Sequence, residues 1–168
     1  MKFKLLISVF LIISIFSGCA DKSAFRVFSK DKLYEEAISN TKKGEILSSL
    51  ENKAIIIATY LNKMNKNYEK KYADGEYFFV RVFIDNDFDE SSRAGLFNPK
   101  YHIYLNENEP VEIKELSMED ELAKSMPLVK KWYRIYLVKF SKTESQTLKL
   151  IFKSDDYGQI RLIFEKGE

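Results

Sequence analysis

From Glu76 onward the apolar residues return at every second position, and no other feature narrows the fold as far. In the run 76–84, Phe78, Val80, Val82 and Ile84 fall on one side and Tyr77, Phe79, Arg81 and Phe83 on the other. Successive side chains of a strand point to opposite faces, so this period predicts a strand with apolar groups on both. Residues 101–105 repeat it, with Tyr101, Ile103 and Leu105 set against His102 and Tyr104. Asn106 to Glu109, followed by Pro110, reads as a turn into a short strand at 111–114 with Val111 and Ile113 inward. The longest candidate is 131–140. Two more, 147–153 and 159–165, are separated by Ser154-Asp155-Asp156-Tyr157-Gly158, a run of turn formers.

The first half is less regular. Ser29 or Asp31 suits a helix N-cap, Leu33, Ala37 and Ile38 share a face, and Lys42, Lys43 and Gly44 suit a helix end. A helix is therefore predicted over 31–42. Residues 45–63 fit either state. Ile46, Leu50, Ala54, Ile57 and Leu61 would line a helix, whereas Ile55-Ile56-Ile57 with Thr59 and Tyr60 favours a strand, expected at 54–61. The polar, lysine-rich 62–72 reads as an exposed loop. A small inserted helix is expected to open at Ser117 with Asp120 as its capping partner and to end by Pro127. Seven short strands with turns between them point to a mainly β chain. The expected fold is an antiparallel β-sandwich of immunoglobulin-like architecture with a short N-terminal helix and the small inserted helix; a closed small barrel is the alternative.

Ahead of this domain, Lys2 and Lys4 precede an apolar run, Leu5 to Phe16, broken only by Ser8 and Ser14, and the small residues Ser17 and Gly18 follow. Crossing a bilayer takes roughly 20 apolar residues, more than this run supplies, so the layout predicts a cleaved signal peptide over 1–18. Phe16-Ser17-Gly18-Cys19 resembles the lipobox of bacterial lipoprotein precursors, with Phe16 where Leu is usual. The resemblance implies a diacylglyceryl group on the Cys19 thiol, cleavage just before it and acylation of the new N-terminus. Cys19 is the one cysteine of the chain, so no disulfide forms within it. Residues 19–28 then make a lipidated tether and 29–168 a single domain. Ala20 rather than Asp after the cysteine implies, by the same resemblance, the outer membrane over the inner.

Removing the signal changes the charge balance. Lys2 and Lys4 leave with it, taking Lys+Arg from 27 to 25 against 25 Asp+Glu, so the mature chain is formally neutral. A neutral, exported chain is not expected to grip nucleic acid, which takes a clustered positive face. Three places could still carry chemistry. Asp85, Asp87 and Asp89, alternating just past a strand, form a calcium candidate. Glu90 and Leu96 stand there where the EF-hand loop needs glycine and the bidentate glutamate. His102 is the single histidine and has no cysteine or second histidine to share a transition metal. Trp132, Tyr133, Tyr136 and Tyr104 mark strands with aromatics on both faces, which are either doubly covered or partly free as a binding surface. No nucleophile–base or metal motif emerges.

The expected function is that of a lipid-anchored envelope lipoprotein acting as a non-enzymatic binding or docking module, with the membrane and an envelope protein as partners. The expected cofactor set is none beyond the covalent lipid on Cys19. The alternatives are a carboxylate-based hydrolase of the cell envelope and a calcium-dependent module using the 85–90 loop.

Overall fold

Apolar groups on both sides of the run 76–84 demand cover on both sides, and the fold supplies two cores. The computed structural model describes residues 32–166. The signal segment, Cys19 and the 19–28 tether lie outside the described residues. From Leu33 on the chain is one compact unit. It contains helix α1 (32–39), strands β1 (Thr41–Ser48) and β2 (Glu51–Tyr60), α2 (Lys66–Lys71), β3 (Glu76–Ile84), β4 (Tyr101–Leu105), β5 (Glu112–Leu116), α3 (Glu121–Ser125), β6 (Arg134–Phe140), β7 (Thr147–Ser154) and β8 (Gly158–Glu165). Two short 3-10 turns, Ser91–Arg93 and Gly95–Phe97, lie between β3 and β4.

The strands form two antiparallel sheets, ordered β1-β2-β3-β6-β5 and β4-β7-β8. With β1 set aside, β2-β3-β6-β5 against β4-β7-β8 is the A-B-E-D against C-F-G order of a constant-type immunoglobulin sandwich. Between the sheets lie Ile56, Phe78, Val80 and Val138 from one and Ile103, Leu105, Leu150, Phe152, Leu162 and Phe164 from the other. Phe78 is central, its ring 5.2 Å from that of Phe164 and edge-on to Phe140 at 6.0 Å. The opposite face of the larger sheet carries Phe79 and Ile135 into a second cluster with Ala37 of α1, Leu61, Met64, Tyr72, Ala123 of α3 and Met126. β3 and β6 are thus covered on both faces, whereas β4, which carries Tyr104, is covered on one.

Several expectations change. The predicted helix 31–42 stops at 39, and a strand absent from the expected set starts two residues later. Thr41 Oγ1 donates back to the Ala37 carbonyl at 2.6 Å and Asn40 Nδ2 to that of Glu36 at 2.8 Å, ending the helix by side chain before Lys42 and Lys43 are reached. Gly44 is no helix cap. It sits mid-strand where β1 closes on β8, and a Cβ there would collide with the Ile160 side chain. Residues 54–60 are strand, as preferred, within β2, which ends at Tyr60, one residue short of the expected 61. The supposed loop 62–72 holds α2, capped by Asn65 Oδ1 on the amides of Asn67 and Tyr68 at 3.1 and 3.2 Å, and buries Met64 and Tyr72. Half of the expected capping pattern forms, the Ser117 amide donating to Asp120 Oδ2 at 2.6 Å, but Ser117 Oγ accepts from the Glu119 amide at 3.1 Å and the helix begins only at Glu121. Val111, expected inward, is 62% exposed ahead of β5. β6 starts at Arg134, leaving Trp132 and Tyr133 in the preceding turn.

One polar chain crosses the second core. Arg81 of β3 is fully buried, its guanidinium 4.9 Å above the Phe79 ring. It donates to the Pro127 carbonyl beyond α3, to Thr59 Oγ1 of β2 at 2.6 Å and to the Ile57 carbonyl at 3.4 Å. Thr59 and Thr41 hydroxyls are 2.6 Å apart. Since the Thr41 proton goes to Ala37, Thr59 must donate to Thr41 while accepting from Arg81. The donors therefore run one way, from Arg81 through Thr59 and Thr41 to the C-terminal end of α1. Desolvation pushes the guanidinium down to about 10, still charged at neutral pH.

Arg81→Ala is expected to destabilise the domain by about 3 kcal/mol or more in urea denaturation, since it opens a cavity and strips three buried acceptors. Arg81→Lys should also cost stability despite keeping the charge, because an ammonium lacks the planar fork that spans those acceptors. A cost-free lysine variant would contradict the fork's role.

Burial pushes the phenols of Tyr72 and Tyr136 up to about 12. Below pH 10 both are neutral whether folded or not. Between 10 and 12 the unfolded chain loses these protons while the native one keeps them, so stability falls as pH rises through that window. Phenolate absorbance lagging behind that of a denatured control, then appearing together with unfolding, is the expected record.

Candidate functional site

β2 and β3 meet end to end at one pole of the sandwich, and the segment between them, residues 61–75, is shaped by one asparagine. Asn62 Nδ2 donates to the carbonyls of Tyr72 and Gly75, both at 2.7 Å, and its Oδ1 accepts from the Tyr77 amide at 2.8 Å. All three of these bonds go to main chain, so α2 is pinned beside the start of β3. Next to it lies Glu76, the first residue of β3 and only 2% exposed. The Tyr60 hydroxyl donates to its Oε2 at 2.6 Å, and the Thr143 amide donates to Oε1 at 3.2 Å. Lys166 Nζ sits 2.6 Å from Oε1 and donates also to the Thr143 carbonyl. Burial first, and then Glu76, hold the Tyr60 phenol far above the usual tyrosine range. These residues wall a cleft of about 430 Å³, whose rim carries Lys63, Asn65, Lys66, Glu69 and Lys142. A carboxylate this fully engaged has no free oxygen for general-base work; its part is to hold Lys166 and the β6–β7 loop in place.

The second feature is a sheet face. While helices cover the outside of the larger sheet, the outside of β4-β7-β8 carries no second cluster among the described residues. Tyr104, Ile151 and Arg161 lie in one cross-strand row there, with Lys149 beside Ile163 and His102 beside Lys153 in the flanking rows. Tyr104 and Ile151 are half-buried, whereas Lys149, Lys153, Arg161 and Ile163 are exposed.

The residues singled out in the sequence are scattered. Asp87 is the organiser of its own loop: Oδ2 accepts from the Gly95 amide at 2.7 Å, and Oδ1 from Phe88 N at 2.9 Å and Asn98 Nδ2 at 3.0 Å. Gly95 must be glycine, at φ +60° with the Tyr136 hydroxyl where a Cβ would stand. Asp85 pairs with Lys53 at 3.0 Å. Amide and ammonium donors thus occupy two of the three carboxylates of the calcium candidate, an arrangement that does not suit a hard cation, and Asp89 meets Arg134 only through its carbonyl, at 3.5 Å. Among the described residues no three His, Cys, Asp or Glu side chains are placed to hold a metal. His102 Nε2 lies 3.2 Å from Asp155 across the β7–β8 turn.

Of the four aromatics, Tyr136 belongs to the core and not to a surface. It is fully buried, donates to the Ala94 carbonyl at 3.3 Å and meets Phe97 edge-on at 5.7 Å. Trp132 is 60% exposed in the turn before β6, under the Lys130 ammonium, with Tyr133 half-buried beside it. Tyr104 is on the other sheet. The four make no common patch. The lysines of the polar cleft were missed because no motif links 63, 66, 142 and 166; alternation in 147–165 did hold the signal for the sheet face, in its outward Lys149, Ile151, Lys153, Arg161 and Ile163.

No protein-family model matches the chain, and no curated protein or solved structure matches it either. Among the described residues no helix is long and apolar enough to cross a membrane.

Glu76→Ala should lower stability by about 3 kcal/mol, because it leaves a mostly buried ammonium and a buried phenol without their acceptor. The urea midpoint checks this, and a loss under about 1 kcal/mol would show that the cleft wall does not depend on the Glu76 carboxylate.

Proposed function

We propose that the protein is a lipid-anchored envelope lipoprotein, held through Cys19, whose sandwich is a non-catalytic docking module for an envelope protein with an acidic face. The observation that carries the docking reading is the unequal cover of the two sheets. The outside of the larger one is sealed by α1, α3 and the segment around α2. The outside of the smaller one presents Tyr104, Ile151 and Ile163 among Lys149, Lys153 and Arg161. Among the described residues these three cations have no carboxylate partner, although the mature chain is neutral overall. Glu107 and Glu165 lie at the margin of this face, and the three cations outnumber them. Aromatic and aliphatic groups among an excess of positive charge favour a partner of opposite sign, with the charge steering the encounter.

The non-catalytic reading is supported by the use already made of the buried polar groups. Glu76 and Arg81 are spent on hydrogen bonds, and no buried side-chain nitrogen or oxygen among the described residues lacks a partner. The anchor reading is supported by Phe16-Ser17-Gly18-Cys19. Two or more acyl chains hold a protein firmly, where one holds it marginally. Ala20 favours the outer membrane.

Labelled palmitate should enter the wild-type chain and not Cys19→Ser, with the protein in the outer-membrane fraction. Label in the serine variant would remove Cys19 as the anchor, and recovery wholly in the inner membrane would overturn the placement. For docking, a photo-crosslinker at Ile151 in intact cells should give one discrete adduct, absent when it stands at Trp132. Lys153→Glu with Arg161→Glu should reduce that adduct at least about tenfold. An adduct indifferent to both charge reversals would sink the docking face.

A further inference from the structure

The polar cleft carries a charge imbalance that the fold does not require. Lys63, Lys66, Lys142 and Lys166 line it against Glu69 and Glu76. Glu76 is buried and already shared between Lys166, Tyr60 and Thr143, so it neutralises none of the other three lysines. Lys63 bonds the Glu165 carbonyl at 3.1 Å and Lys142 the Ala73 carbonyl at 3.3 Å. A neutral carbonyl aims an ammonium without cancelling its charge, and each ammonium has two further protons to donate. Lys66 bonds nothing among the described residues. Many lysines elsewhere meet a carboxylate: Lys53 with Glu51 and Asp85, Lys100 with Asp156, Lys124 with Glu119, Lys139 with Asp74. The cleft lysines come from four separate stretches of chain, the β2–α2 connection, α2, the β6–β7 loop and the end of β8.

We infer that this cleft is a binding site for a phosphate-bearing anion of at least two negative charges. Lysine is the appropriate donor: a compact point charge that takes phosphate oxygens from any direction, where arginine would impose a planar fork. The space, about 430 Å³, suits a small phosphorylated molecule rather than a bare ion. The walls are set before any ligand arrives. Asn62 pins the α2 side, and Glu76 fixes Lys166 and the β6–β7 loop that carries Lys142. The ordering left for binding falls mainly on the exposed Lys66 and Lys142 side chains and not on the backbone. Two sources share this chemistry, a soluble diphosphate and the headgroup of an anionic lipid.

Calorimetric titration of the full chain in non-ionic detergent at low salt tests the site, with two soluble probes. One is inorganic pyrophosphate; the other is glycerol 1-phosphate, the phosphomonoester headgroup fragment of phosphatidic acid, which carries about two negative charges at neutral pH. Saturable binding of either is expected, weakened about tenfold by Lys66→Ala with Lys142→Ala and unchanged by Lys153→Ala on the outer sheet face. The probe that binds identifies the source. Both replaced cleft lysines are exposed, so an unchanged melting midpoint separates lost binding from lost fold. No saturable binding of either probe, or an equal loss in Lys153→Ala, overturns the assignment. Neither result depends on acylation at Cys19 or on the docking face, so the two proposals stand or fall separately.

Discussion

A positive charge with no carboxylate partner among the described residues lies within the second core, and the cover of the larger sheet is organised around it. Arg81 cannot shed its desolvation cost onto a carboxylate; it must be met by neutral acceptors, and these come from β2 and from the segment after α3. Each unmet acceptor or donor there would cost about 1–3 kcal/mol. The guanidinium therefore sets where Pro127 and Thr59 stand, and through Thr59 and Thr41 it fixes the end of α1. Apolar packing alone would allow the helical layer to slide over Phe79 and Ile135, since area burial has no direction. A one-way chain of hydrogen bonds does have direction. It turns a greasy contact into a single register, and leaves only the smaller sheet with a free outer face.

That same residue explains what the sequence could and could not reveal. Alternation in 76–84 is legible as a strand, and so is the presence of apolar groups on both sides, but Arg81 breaks the outer side of the pattern with a charge. By composition it belongs in water; only its distant acceptors, 22 and more residues away, make it a core residue. β4, β7 and β8 follow the period because one of their faces is buried and the other wet. β1 escaped for the opposite reason. As an edge strand it buries one large side chain, Ile46, and its Lys42, Lys43 and Gly44 have the composition of a helix end. Its identity comes from pairing with β2 and from the approach of Gly44 to β8, both non-local. The same holds for 62–72, where lysines and asparagines hide Met64 and Tyr72 under the sheet.

The site was less legible than the fold. Aromatic residues flag burial and binding alike, and here burial claimed Tyr136 while Trp132, Tyr133 and Tyr104 went to separate surfaces. Alternating aspartates suggested a cation, but an aspartate serves equally well as an acceptor for amides, and Asp87 stabilises a loop that must bend sharply at Gly95 to pass Tyr136. Spacing in sequence carries no information on which of these a carboxylate will meet. The lysine cleft shows the converse, four residues with no shared motif gathered by strand ends.

Charge on this neutral chain is sorted by place. The pole formed by the β1–β2 turn, the start of the β3–β4 loop and the β7–β8 turn carries Glu51, Asp85, Asp87, Asp155 and Asp156, with Lys53 and Lys100 tied to its acids. The opposite pole and the outer face of the small sheet carry an excess of lysines and an arginine over their acids, which are Glu69 and Glu76 in the cleft and Glu107 and Glu165 on the face. Stability does not call for this separation: exposed ion pairs are worth little, and interspersing the signs would reduce repulsion among like charges at no cost in packing. Keeping cations apart from available carboxylates maintains a potential that an external anion or an acidic surface can meet. Two neighbouring features of one sign, a walled cleft and an open sheet face, divide that potential between a small ligand that can be enclosed and a larger partner that can only be faced.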